Sequence, residues 1–223
     1  MKDAPPLPSD LICAANAIFD EAAIADRITS DIAMTKDPAL ARSMLVDLLK
    51  TANARGRAAI ADALSQGPMA AHAATRSYCW LTDCLLRTVL SFATEQAHPL
   101  PNPTDSERIA VYAGGGYGRG EMAPQSDVDL LFLTPYKITA WAESVIETTL
   151  YVLWDLKLKI GHASRTVKEC LRLATDDFTI RTALLEKRIL FGDRALADTL
   201  RSKLRSDLFE GTAREFIAHR RRV

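Results

Sequence analysis

The chain has 223 residues, 28 basic and 28 acidic side chains, and 48% apolar residues. That is enough for one large domain or a domain with a helical appendage, and its balanced charge excludes a general basic field for gripping long nucleic acid. No apolar run is long enough to span a bilayer, no amino-terminal signal stretch is present, and Cys13, Cys79, Cys84 and Cys170 lack zinc-site spacing. The expectation is a soluble cytoplasmic protein with core thiols and neither membrane nor nucleic acid as a partner.

Taken in chain order, residues 1–9 carry Pro5, Pro6 and Pro8 and are expected as a flexible lead. Residues 10–98 read as a helical segment with helices over 11–29, 38–64 and 68–97. Leu45, Leu48, Leu49 and Ala52 form a stripe in the second helix, and Tyr78, Leu81, Leu85, Val89 and Phe92 recur at helical spacing in the third. Pro68 suits a first helical turn, and the prolines at 99, 101 and 103 stop the third helix. A core over 104–194 follows. It is read as a strand over 109–113, a glycine loop over 114–120, a turn at Pro124-Gln125-Ser126 and a second strand ending at Leu133. An amphipathic helix is expected over 140–156, with Trp141, Val145, Leu150 and Trp154 on its apolar face. A third strand over 158–166, a short helix over 167–173 and a fourth strand over 184–191 complete the core. Residues 195–223 read as a charged helical connector, containing Gly211 and ending in Arg220-Arg221-Arg222, cut off before its packing partner.

Half of the ten glycines (Gly114, Gly115, Gly116, Gly118 and Gly120) fall within seven residues, closely followed by Asp127-Val128-Asp129. Glycine lets backbone N–H groups approach a polyanion closely. Strand side chains alternate, so Asp127 and Asp129 share a face with Cα atoms about 6.6 Å apart. Two carboxylates beside Leu130, Leu131 and Phe132 are costly without a cation or partners. Jointly they suit Mg²⁺, a hard cation usually seen with substrate phosphates. The dinucleotide and P-loop alternatives fit less well, because Gly-x-Gly-x-x-Gly is out of register and no Gly-Lys-Ser/Thr closes the loop. A phosphate cradle with metal carboxylates is the apparatus of nucleotidyl transfer.

The Gly-Gly…Ser-Asp-x-Asp pattern resembles the DNA polymerase β-like nucleotidyltransferase superfamily. The longer run from Gly115 to Leu131 is similar to the amino-terminal domain of the bacterial bifunctional uridylyltransferase/uridylyl-removing enzymes. Further matches are Leu153-Trp154-Asp155, Leu158-Lys159-Ile160-Gly161-His162, Arg165-Thr166, Glu169-Cys170 and Thr182-Ala183-Leu184-Leu185-Glu186-Lys187-Arg188. The resemblance implies an α+β fold: a small mixed sheet with flanking helices, the polymerase β-like core, preceded by an α-helical segment. It further implies Mg²⁺-dependent transfer of UMP from UTP to a tyrosine of the PII signal protein. The alternatives are adenylyl transfer to a protein or small molecule, and a non-catalytic nucleotide-sensing domain.

Under this reading Asp127 and Asp129 are metal ligands, and Gly115 and Gly116 offer N–H groups to the triphosphate. Ser126 either contacts the nucleotide or caps its turn, and Arg119 pairs with phosphate or with Glu121. The superfamily brings a third carboxylate from a later strand. Glu186 is the candidate, against a surface pair with Lys187 or Arg188, and Asp176-Asp177 reads instead as a helix cap. His162 is a base, a phosphate contact or a structural histidine. None of the four histidines precedes an aspartate, so the clustered ligands needed for uridylyl removal are missing. The chain is therefore expected to be the transferase part only.

Overall fold

The computed structural model describes residues 10–209. In chain order its helices and strands are α1 (Ala15–Ile18), α2 (Glu21–Arg27), α3 (Pro38–Gln66), α4 (Ala71–Ser91), β1 (Ala110–Ala113), α5 (Gly115–Gly118) and β2 (Val128–Thr134), then α6 (Ala140–Asp155), β3 (Ile160–Thr166), α7 (Val167–Asp176), α8 (Phe178–Leu185), β4 (Arg188–Gly192) and α9 (Arg194–Leu204). Two compact units share them. One comprises described residues up to 100 together with 120–128 and 144–160, and the other takes 101–119, 129–143 and 161 onward. This is the expected α+β class, a small mixed sheet with flanking helices preceded by a helical segment.

In the helical unit, Asp37 accepts from the Ala39 amide at 2.9 Å and opens α3. Pro38 occupies the first turn, where its missing N–H costs nothing. Leu45, Leu49 and Ile60 are buried, as are Leu81, Leu85, Leu86 and Val89 of α4. The aromatic and aliphatic stripe of the third predicted helix is thus core. The first predicted helix is broken. Phe19 is buried and extended (φ −152°, ψ 117°), while the Asp20 carboxylate accepts from Ala23 and starts α2 afresh. A short acceptor side chain that captures a free first-turn amide competes with helix continuation. In α6 the buried positions include Val145, Leu150 and Leu153, whereas Trp154 is exposed, contrary to its expected place on the apolar face.

The sheet has the order β3-β2-β1-β4, with β1 antiparallel to both β2 and β4. Tyr112, Leu133, Val167, Cys170, Leu184, Leu196 and Leu200 form the buried cluster of this unit. Beyond α9 a π-helical turn covers Arg205–Phe209, and the remainder of the predicted connector, including Gly211 and Arg220 to Arg222, lies outside the described residues. At the start of α7, Thr166 Oγ1 accepts from the Glu169 amide at 3.2 Å, and the Glu169 carboxylate accepts from the Thr166 amide at 2.7 Å. These bonds to Thr166 hold the Glu169 carboxyl below its ordinary pKa. Thr166→Ala is expected to cost about 1 kcal/mol through loss of the hydroxyl half of this cap. Urea denaturation checks it, as a lowered midpoint with an unchanged slope.

Candidate active site

The predicted glycine loop is a single helical turn, α5. Gly118 donates to the Gly114 carbonyl at 2.7 Å and Arg119 to that of Gly115 at 3.1 Å. The turn is reached because Gly115 takes φ +55°, a left-handed value that glycine adopts without a Cβ penalty. The Gly114 amide donates to the Asp129 carbonyl at 2.9 Å, fastening the start of α5 to β2.

The Asp129 side chain lies between two glycines. A Cβ on Gly115 would stand 3.0 Å from its Oδ2, and a Cβ on Gly161 would stand 2.5 Å from its Oδ1. Gly161 is therefore a positioning residue that reading the sequence missed. A glycine inside strand β3 was the available signal, since it often marks close approach by another group. Asp129 is the second residue of β2 and is exposed, as is Asp127 immediately before the strand, while Val128 and Leu130 are buried. This alternation puts both carboxylates on the open side of the chain.

The segment ending at Asp127 has its own supports in the helical unit. Arg57 of α3 donates to the Pro124 carbonyl, Met122 donates to Thr75 of α4 at 3.4 Å, and Val128 donates to Lys159 at 2.8 Å. Ser126 closes the turn, with its Oγ accepting from the Ala123 amide at 3.0 Å.

Arg119 forms an ion pair with Glu186, Nη1 to Oε2 at 3.0 Å, with the two side chains 49% and 30% exposed. A pair this exposed contributes little to stability, about 0–1 kcal/mol, and serves rather to hold the guanidinium in place. Glu186 does not lie in the fourth strand. It ends α8, where its amide donates to the Thr182 carbonyl at 3.2 Å, and β4 begins only at Arg188. The reason is local: Asp177 caps α8 by accepting from Thr179 and Ile180, so the run through Leu184 and Leu185 is claimed by the helix. Asp177 is thus a cap, as expected. His162 sits in β3 with its side chain exposed. Among the described residues, no group of three or more His, Cys, Asp or Glu side chains assembles as a metal cluster.

A turn that presents backbone amides, set against an exposed carboxylate on the adjoining strand, is a geometry for phosphate chemistry. Residues 102–190 match the nucleotidyltransferase domain family. The chain carries a nucleotidyltransferase domain. It is 57% identical over 90% of its length to a bifunctional uridylyltransferase/uridylyl-removing enzyme of Ruegeria pomeroyi, and the match covers 22% of that relative. Proteins of the same description from Cereibacter sphaeroides and Rhodopseudomonas palustris are 53% and 46% identical over 95% and 92% of the chain. The chain spans only 22–23% of the length of these relatives. Nucleotidyltransferase domains generally work with a divalent metal. The Asp129 carboxylate suits one: it is exposed and seated where glycines leave room for its oxygens and nothing larger. No helix among the described residues is long and apolar enough to cross a membrane.

Proposed function

We propose that this nucleotidyltransferase domain transfers UMP from UTP to a tyrosine hydroxyl of a PII signal protein, with Mg²⁺ held by Asp127 and Asp129. The observation that carries the reading is the Asp129 carboxylate, placed by Gly115 and Gly161 at the foot of the α5 turn. The choice of uridylyl is supported by the names of the relatives, and the PII acceptor by the resemblance of the 115–131 motif.

In the transfer, the tyrosine oxygen forms a bond to the α-phosphorus of UTP as the bond to pyrophosphate breaks, and the phenolic proton passes to base. Asp127 and Asp129 would hold Mg²⁺, which would supply charge stabilisation to the phosphoryl oxygens. Asp127 and Asp129 orient that charge. Gly115 and Gly116 begin α5, where N–H groups lack partners within the turn, and direct them at the triphosphate. Arg119 offers its planar fork to phosphate oxygens, and Glu186 is the third carboxylate, acting through Arg119.

Arg119→Gln and Glu186→Gln should each raise KM for UTP, and the double variant should be little worse than the poorer single one. Strictly additive losses, with Glu186→Gln lowering kcat alone, would place Glu186 at the metal or the nucleophile instead. The proposed activity itself is tested by incubating the chain with labelled UTP, Mg²⁺ and PII beside a parallel reaction with labelled ATP. Label on PII from UTP is the expected result. Label from ATP alone would make the domain an adenylyltransferase, and binding without transfer would make it a nucleotide sensor.

A further inference from the structure

Tyr112 of β1 stands opposite Leu131 of β2, so it shares the sheet face of Asp129, two residues earlier on that strand. A cavity of about 600 Å³ opens on this face, walled by α8, β4 and α9. Its polar lining is Tyr112, Lys187, Arg188, Arg201 and Arg205, and the rest is aliphatic. Among the described residues no acidic side chain lines it, and neither do Asp129, Gly115, Gly116 or Arg119. Tyr112 is only 4% exposed, and its hydroxyl has no hydrogen-bond partner among the described residues. Buried hydroxyls without partners are uncommon in native proteins and call for an explanation.

Lys187 donates to the Leu184 carbonyl at 2.9 Å and lies 5.5 Å from the Tyr112 ring centre, and an ammonium group has three donors to offer. Arg201 pairs with Asp198 at 3.0 Å, but both side chains are widely exposed and such pairs are easily exchanged. Burial, with the Arg201 charge adding to it and the Cys170 thiol opposing, pulls Lys187 down to a pKa of about 8. An anion beside a cation that burial disfavours would stabilise its charged form.

We propose that this cavity is a second ligand site, separate from the Asp129 site, which binds a phosphate group carried on a small organic body. Tyr112 Oη and the Lys187 ammonium donate to the phosphate, Arg201 adds charge, and the aliphatic wall formed by Leu184, Ile189 and Leu204 receives the organic part. A lone phosphate would leave most of the volume unfilled. The concave aliphatic wall favours a small molecule over an acidic protein surface.

The probe is inorganic phosphate, titrated calorimetrically into the full chain in chelator-containing buffer at constant ionic strength, so that metal-dependent binding does not contribute. Phosphate is expected to bind wild type and Asp129→Asn alike, and Lys187→Met or Arg201→Gln should weaken it about tenfold or more. Tyr112→Phe should weaken it several-fold yet leave the ligand-free unfolding temperature unchanged or raised, because it removes a buried hydroxyl that has no partner. A non-hydrolysable UTP analogue should leave phosphate binding intact. Absence of phosphate binding, or binding indifferent to Lys187→Met and Arg201→Gln, would overturn the proposal. Displacement by the UTP analogue would also overturn it, by making the cavity a subsite for the nucleotide's own phosphates.

Discussion

Asp129→Asn is expected to lower nucleotidyl transfer by about a hundredfold or more while leaving the unfolding transition in place. The carboxylate is exposed at the start of β2, so no buried charge or core packing is lost. The strand is retained by its backbone, since the Gly114 amide donates to the Asp129 carbonyl, which asparagine keeps. What disappears is one negative oxygen at the point where the cation is to be held. Asparagine retains one oxygen donor but no charge, so the loss should fall on kcat at saturating UTP and should shift the Mg²⁺ requirement upward. Asp127→Asn should follow the same pattern. Steady-state transfer assays over a Mg²⁺ series decide the matter, and turnover like that of wild type in either variant would remove the carboxylate pair from the mechanism.

The second large effect is expected from the smallest substitution. Gly161→Ala adds a Cβ that would stand 2.5 Å from Asp129 Oδ1, closer than any real contact allows. The group that yields is the end of the Asp129 side chain, because β3 is fixed by its pairing in the sheet. A displacement of about an ångström at a reacting centre can cost on the order of a hundredfold in rate. Stability should not fall, since alanine in a strand is favoured over glycine by roughly 0.5–1 kcal/mol. The signature is therefore a variant with an unchanged or higher melting temperature, reduced transfer and weakened Mg²⁺ activation. Loss of folding together with activity would show that Gly161 serves the sheet rather than the carboxylate.

The carboxylate pair and the glycine run stand out in the sequence because their signal is local: two aspartates two residues apart lead into an apolar run directly behind clustered glycines. The helical conformation of 115–118 is not legible in the same way, since clustered glycines are read as a loop and only the Gly114–Asp129 backbone bond shows what the turn is tied to. Glu186 was misplaced because the apolar residues on either side of Glu186-Lys187-Arg188 have no period that separates strand from helix, and the deciding cap, Asp177, lies outside the segment. Gly161 and the Arg119–Glu186 pair need tertiary contact to be seen at all. The same holds for the break at Phe19, where an alanine-rich stretch hides a change of direction that Asp20 enforces.

The seat of Asp129 is made of main chain: an amide from Gly114 and two places where side chains are missing. Such a seat carries no information about base or acceptor, and it is indifferent to what neighbouring side chains become. Lineages that keep the glycines are then free to exchange the groups that read the nucleotide or dock the acceptor without disturbing the chemical step.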